Sequence, residues 1–260
     1  MRTKSTSSFL LAILLLFLVA TSAQAGWVIH EKEGGNQTVF YIQDNHMRTE
    51  AGGQIILMDL DKQEMFFLSP TRKLYWGGKV AEFKKFMEKT MGQMNQMLSQ
   101  MKEAMKNMPP EQRKAMMEMM KQNMPAKQPP PKVTVRDTGQ TGKVAGYKVR
   151  KYEVVVNGKL REEQWVAPDV DVADDMDPDK LTEFVSALSM ISPDDAYSAS
   201  PKVMGLLKKG YPLKRKTFTG TGTHVAVVTK AVEKSLDSDM FKVPKGYRKV
   251  KLQDLIRQGG

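Results

Sequence analysis

Twenty methionines stand in a chain that has no cysteine, and between residues 87 and 108 their spacing is ordered. Met87, Met91, Met94, Leu98, Met101, Met105 and Met108 follow one another in alternating steps of four and three, with Met97 beside them. That alternation gathers them on one face of a helix, opposite Lys89, Gln93, Gln96, Gln100 and Lys106. An amphipathic helix of this kind needs a partner for its sulfur face. Met116, Met117, Met120 and Met124 offer a second stripe further on, which predicts an antiparallel helical hairpin. Ordering a methionine side chain costs up to ~1.5 to 2 kcal/mol against ~0.5 to 1 for leucine. Burial returns about 1.5 to 3 kcal/mol for either. A methionine seam is therefore the weaker core, and what it gains is adaptability, because unbranched, polarizable thioethers repack around varied apolar shapes.

Three readings of the stripe stand side by side. It is ordinary core; or it is a pliable lid or docking face that takes an acyl chain or an amphipathic partner; or its sulfurs hold Cu(I). Met91, Met94 and Met97, or Met117 and Met119, would be the soft ligands for copper. Helical packing demands the same spacing, and none of His30, His46 and His224 falls within the stripe.

The remaining residues that could do chemistry are not arranged to do it. Ser99 and Lys102 copy the first element of a penicillin-binding site without its companion motifs, and no Gly-x-Ser-x-Gly, HExxH, P-loop or GxGxxG pattern occurs. Glu162 and Glu163 are neighbours in a predicted strand and so point to opposite faces, which separates them as an acid and base pair. Asp169, Asp171, Asp174, Asp175, Asp177 and Asp179 lack the glycine and terminal glutamate of a calcium loop, and read as a solvated turn leading into a helix N-terminus. His46, near Arg48, is the first histidine to substitute if an activity exists. The expectation is a protein that is not an enzyme, with no cofactor and no metal site.

The elements that position these residues fall into four regions. Residues 1–25 carry Arg2 and Lys4, an apolar run, and Ala23-Gln24-Ala25, the layout of a secretory signal peptide. Its apolar run is shorter than the roughly 20 residues of a membrane span. Its removal would lower the formal charge from +11 to +9, leaving a basic chain that favours anionic membrane surfaces or acidic envelope proteins over nucleic acid. Residues 26–79 read as six short strands punctuated by Gly34-Gly35, Asp44-Asn45, Gly52-Gly53, Asp61-Lys62 and Pro70-Thr71, an antiparallel meander. Runs such as Ile55-Ile56-Leu57 and Phe66-Phe67-Leu68 are apolar on both faces, so each face of the sheet needs a cover.

Residues 80–131 are the helical, methionine-rich insert and its proline-rich linker, with Pro109-Pro110 opening the second helix. Residues 132–260 return to strands with short helices. Tyr147 and Val149 differ in parity from Tyr152, Val154 and Val156, which predicts a β-bulge near Arg150-Lys151. Asn157-Gly158 is a hairpin signal, and Asp177 with Pro178 reads as the cap and first residue of a helix. About eleven strands are expected in all.

The segments GWVIHEKEGG, VFYIQDNHMRTE, VAGYKVRKYEV, NGKLREEQWVAP and MFKVPKGYRKV resemble an exported bacterial family known only as a domain of unknown function. The resemblance covers residues 26–78 and 132–250 and leaves the methionine-rich segment unmatched. That family is similar to the LolA-type lipoprotein carriers, which implies a curved antiparallel sheet, an incomplete barrel, closed on its concave side by helices around an acyl-chain cavity. By the same resemblance Arg48 would correspond to the arginine that latches the carrier's lid.

The combined expectation is an α+β fold: a curved antiparallel sheet, LolA-like, with an inserted Met-rich helical hairpin, in a periplasmic or secreted protein with no transmembrane segment after signal cleavage. Its role would be to bind or carry lipid or another apolar ligand, with Met87, Met91, Met94, Leu98, Met101, Met105, Met108 and Arg48 as the site. The alternatives are a copper-binding protein or a protein-docking module.

Overall fold

The computed structural model describes residues 25–106, 108–114 and 131–257. Turn residues set its first half. Asp44 and Asn45 both take positive φ, 50° and 58°, the conformation that joins two strands by a two-residue hairpin without splaying them. Two-residue turns join β1 (Gly26–Glu33), β2 (Asn36–Gln43), β3 (His46–Ala51) and β4 (Gln54–Asp59), and four-residue loops add β5 (Glu64–Ser69) and β6 (Leu74–Lys79) to the expected meander. The helix α1 (Val80–Met105) leaves directly from β6, and residues 110–114 are helical again.

Three long strands follow, β7 (Val133–Val144), β8 (Tyr147–Val156) and β9 (Lys159–Ala167). After them come α2 (Pro178–Leu188), a 3-10 turn at Pro193–Ala199 and the short α3 (Pro201–Met204). The chain ends in β10 (Tyr211–Thr219), β11 (Gly222–Lys234), a 3-10 turn at Ser238–Phe241, the two-residue β12 (Arg248–Lys249) and α4 (Leu252–Arg257). Asp177 caps α2 by accepting from the Asp179 and Lys180 backbone N–H groups, with Pro178 at the first helical position, as its sequence predicts.

All twelve strands belong to one open sheet in the order β12-β6-β5-β4-β3-β2-β1-β11-β10-β9-β8-β7, antiparallel except where β12 meets β6. The two sequence halves join at its centre through β1 and β11. The sheet curves like part of a barrel without closing. Its first-half edge is β6, covered only by β12, and its other edge is β7, so the segment between Lys79 and Val133 connects opposite ends of the sheet.

Strand register sorts the apolar residues into two faces. Trp27, Ile42, Met47, Met58 and Met65 align across β1 to β5 on the inner face, with Ile29, Phe40, Ile56, Phe67 and Trp76 in the next rows. This face is filled from within the chain. Val170, Val172 and Met176 of the loop before α2, then Leu181, Phe184 and Ala187 of α2, complete the main core. Trp27 donates its indole N–H to the Asp171 carbonyl at 3.1 Å and ties that loop down. Further along, Tyr197, Val203 and Leu206 cover Val154, Tyr152 and Val166. The outer face carries Ile55, Leu57, Phe66, Leu68 and Tyr75, covered by Val243 and Tyr247 of the C-terminal segment. Both faces of these strands thus have the cover that their two-faced sequence demands.

Two expectations need correction. The parity change in β8 is not a bulge of that strand: Arg150 to Val154 pair with β9 in unbroken register. Val149 joins the main core, and Tyr152 packs beneath Leu206 in a separate cluster. The irregularity lies on the neighbouring edge strand, where β7 shifts register between Asp137 and Thr141. The second correction concerns closure of the sheet. The loop before α2 and α2 itself fill the concave side, while α1 docks there through Val80, Phe83, Phe86 and Met87 at its start. Aromatic area explains the difference, because the large rings of α1 stand in its first two turns and bury most surface there.

Candidate functional site

The methionine stripe begins inside the core and runs out of it. Met87 packs at the core's edge, and Met91, Leu98 and Met101 are half-buried. Met94 is 41% exposed and Met97 60% exposed. Met105 is buried, and Met108 is half-buried just beyond the helix end. That end is closed by Arg113, whose guanidinium donates to the carbonyls of Met105, Lys106 and Met108 at 3.1, 2.9 and 3.0 Å. One side chain of the following helical segment thereby ties together three carbonyls at and just beyond the helix C-terminus. At the other end, Lys84 pairs with Glu183 of α2. Met116, Met117, Met119, Met120 and Met124 lie outside the described residues, as does most of the proline-rich linker.

Arg48 is not part of this arrangement. It shares a row with Tyr41 and Leu57 on the outer face, away from α1. There its guanidinium bonds the Glu50 carboxylate at 2.6 Å and donates to the Met240 carbonyl at 3.0 Å. Its contacts tie it to the C-terminal segment and not to α1. The sequence motif HMRTE locates the strand without saying which face meets the methionines, and the alternation of register decides that.

A second concavity lies beside Arg48. A cavity of about 400 Å³ separates the ends of β3, β4 and β5 from the turn at Ser238–Phe241. Leu57 and Phe66 form its floor, and Phe241 and Val243 its far wall. The His46 ring lies 5.6 Å from that of Phe241, with Nδ1 2.7 Å from the Asp44 carbonyl and Nε2 3.5 Å from the Asp59 carboxylate. Asp59 also takes the Lys62 ammonium at 2.7 Å and the Lys62 backbone N–H at 2.8 Å. Those bonds and the nearby His46 hold its carboxyl below the usual range, although burial alone would push it up. Phe66 reaches across the neighbouring strand, where a Cβ on Gly77 would come within 2.1 Å of its ring, so glycine at 77 makes room for the cavity floor. Of these residues sequence reasoning singled out His46 alone. The signal for the others was the second apolar face of β4 and β5 together with the apolar positions of MFKVPKGY.

The inner face holds a polar niche as well. Glu31 is buried and accepts from Arg215 at 2.8 Å, and the Tyr197 hydroxyl donates to buried Glu162 at 3.0 Å. Burial pushes the Glu162 carboxyl up, while Arg215 and Tyr197 draw it back down. Asp175 in the loop before α2 is also buried, with Oδ1 lacking a partner. Burial raises its pKa to about 6, helped by the carboxylates of Asp44, Glu233 and Asp174, and opposed by the Asp44 backbone N–H. No cluster of three His, Asp or Glu placed to hold a metal ion occurs among the described residues. No described helix is long and apolar enough to cross a membrane.

Comparison with known proteins adds a family and little else. No curated protein matches the chain. Among solved structures, two crystal forms of a protein described as PNGF-II are similar over 90% of this chain, with TM-scores of 0.39 and 13% and 11% sequence identity. The chain spans about a third of that protein, 33% and 32% of its length in the two forms. A family model matches from β6 through the methionine-rich helix to the C-terminal segment, so the second half is covered as expected, while the insert lies within the match and β1 to β5 precede it, against expectation. Over residues 72–247 the chain belongs to the family described as a domain of unknown function, DUF4412.

Proposed function

We propose that this chain is an exported, non-enzymatic binder or carrier of lipid or another apolar ligand in the bacterial envelope, and that its working surface is the sulfur face of α1. The observation that carries the reading is the exposure of Met94 and Met97, 41% and 60%, on a helix whose first turns are anchored in the core. Covering one such side chain yields about 1.5 to 3 kcal/mol, so a partner that seats on the arm gains what the fold leaves unused. The strand order supports a lid-like placement, since the insert starts at one edge of the sheet and returns at the other. Resemblance to the LolA-type carriers supports the ligand class. The inner face is filled with side chains such as Ile29, Met65 and Phe184 that have no exposure, which moves the ligand from the sheet's interior to the arm.

A fluorescent fatty acid titrated against the protein tests this. Leucine at Met91, Met94, Met101 and Met105 should leave folding intact and narrow the range of chain lengths bound, whereas unchanged binding across chain lengths would contradict the reading. Copper is the second reading, and the same exposure favours it, because Met91, Met94 and Met97 stand on successive turns and none of them is buried. A Cu(I) titration against a competing chelator separates the two, since a dissociation constant weaker than about micromolar removes the metal from consideration.

A further inference from the structure

The cavity beside Arg48 has a composition at odds with the molecule around it. Formal charge over the chain is +11, yet the lining residues include Asp44, Asp59 and Glu64 against Lys62 and Lys242. Most of these charges are already matched. Asp59 holds Lys62, Glu64 holds Lys79 at 3.1 Å, and Lys242 is held by Asp239 at 2.8 Å. Asp44 is different, since its carboxylate takes only the Gln43 side-chain amide at 3.2 Å and has no ion pair among the described residues. The charge left over at the rim is therefore negative.

Below the rim the surface is apolar and aromatic. Leu57 is 1% exposed, and Phe66, Phe241 and Val243 complete the floor and far wall. About 400 Å³ of space lies between these anchored elements and opens to solvent. It falls within the range of small-ligand sites. The roof is pinned on both sides of the opening, by Gln43, which accepts from the Leu236 backbone N–H at 2.8 Å, and by Arg48 on the Met240 carbonyl. Directly after the second pin Phe241 meets the His46 ring and lines the space.

We infer that this cavity is a binding site for an amphipathic cation, a compound with a short apolar body and an ammonium head. Its body lies on Leu57, Phe66 and Val243. Its head meets the Asp44 carboxylate and the face of an aromatic ring, the pairing that recognises ammonium groups elsewhere. The site is separate from the methionine arm in place and in ligand class.

The test is a titration of the folded protein with octyltrimethylammonium, octanoate and octanol, all below their micellar range and followed by the side-chain resonances of His46 and Phe66. The cation is expected to bind about tenfold or more tighter than octanoate, with octanol between them. Asp44→Asn, which suits the turn's positive φ, should remove the cation's advantage over octanol and leave octanol affinity within about twofold. Val243→Trp fills the space and Phe241→Ala opens its roof, and either should weaken all three ligands. Equal or tighter binding of octanoate overturns the assignment. So does an unaltered cation preference in Asp44→Asn, cation binding that survives both cavity variants, or no binding of any probe. Gln at Met94 and Met97 should leave these affinities unchanged, which separates the cavity from the arm; cation binding lost in that variant would move the site to the arm and overturn the assignment too.

Discussion

A single buried carboxyl sets the clearest expectation at the residue scale. Asp175 has its pKa raised to about 6 in the folded protein, chiefly by burial, above the ordinary 3.8. The folded state therefore holds the proton more tightly than the unfolded one. The contribution of this carboxyl is fully present below about pH 4 and is lost as pH rises through about 6. Asp175→Asn keeps the shape of the neutral form, so it should match the parent at about pH 4 and exceed it by ~1 to 3 kcal/mol at pH 7, the range for an unmet buried polar group. Urea midpoints of both proteins at the two pH values check this, and a variant that gains nothing on its parent between pH 4 and pH 7 would contradict it. The six aspartates between 169 and 179 look alike in the sequence, where a solvated turn is the natural reading. What buries Asp175 is a distant contact: the Asn45 backbone N–H donates to its carbonyl at 2.7 Å, and the Asn45 side chain takes the Asp177 N–H at 2.9 Å. The methionines show the same limit, since their spacing was legible and their unequal exposure was not. Exposure depends on where α1 leaves the sheet.

Among the elements, α1 is the one whose two ends can be tested independently. Phe83 is 1% exposed and touches the rings of Phe67 and Trp76, with centroids 5.5 and 6.0 Å away. Phe83→Ala should cost ~3 to 5 kcal/mol and unseat the arm, seen as lower denaturant stability and faster amide exchange along α1. Arg113→Ala removes three carbonyl contacts at the other end. It should fray the last turn, about 1 kcal/mol of local stability, with faster exchange after Ser99 and little change in the global midpoint. Local signals made these elements readable. Asn157 and Gly158 take φ of 51° and 81° as their hairpin requires, and Asp177 caps α2. The misplaced bulge shows where local signals stop, because β7 carries it among exposed polar residues that have no hydrophobic alternation to break, while β8 shows a parity change as its apolar residues join separate clusters.

On the scale of the whole molecule, one curved sheet has been given two covers: the segments around α2 and α3 inside, and the C-terminal segment outside. The sequence foretold that both faces need covering and could not say which segment covers which, since that assignment rests on contacts far apart in the chain, such as Trp27 with Asp171 inside and Arg48 with Met240 outside. Arg48→Ala should release the outer cover at Met240 at a cost of ~1.5 to 3 kcal/mol, the range for a bond from a charged donor, with faster exchange at residues 237–243 and no effect on α1. The insert then remains as the element that joins the two edges and keeps a sulfur face in solvent. Methionine oxidation measures that face most directly, because sulfoxide formation follows accessibility. Under dilute peroxide, Met97 and Met94 should be oxidised first and Met58, Met65 and Met176 last, and a saturating long-chain fatty acid should slow the first pair. Uniform oxidation of all five, or a fatty acid that binds and leaves Met94 and Met97 as reactive as before, would contradict the account.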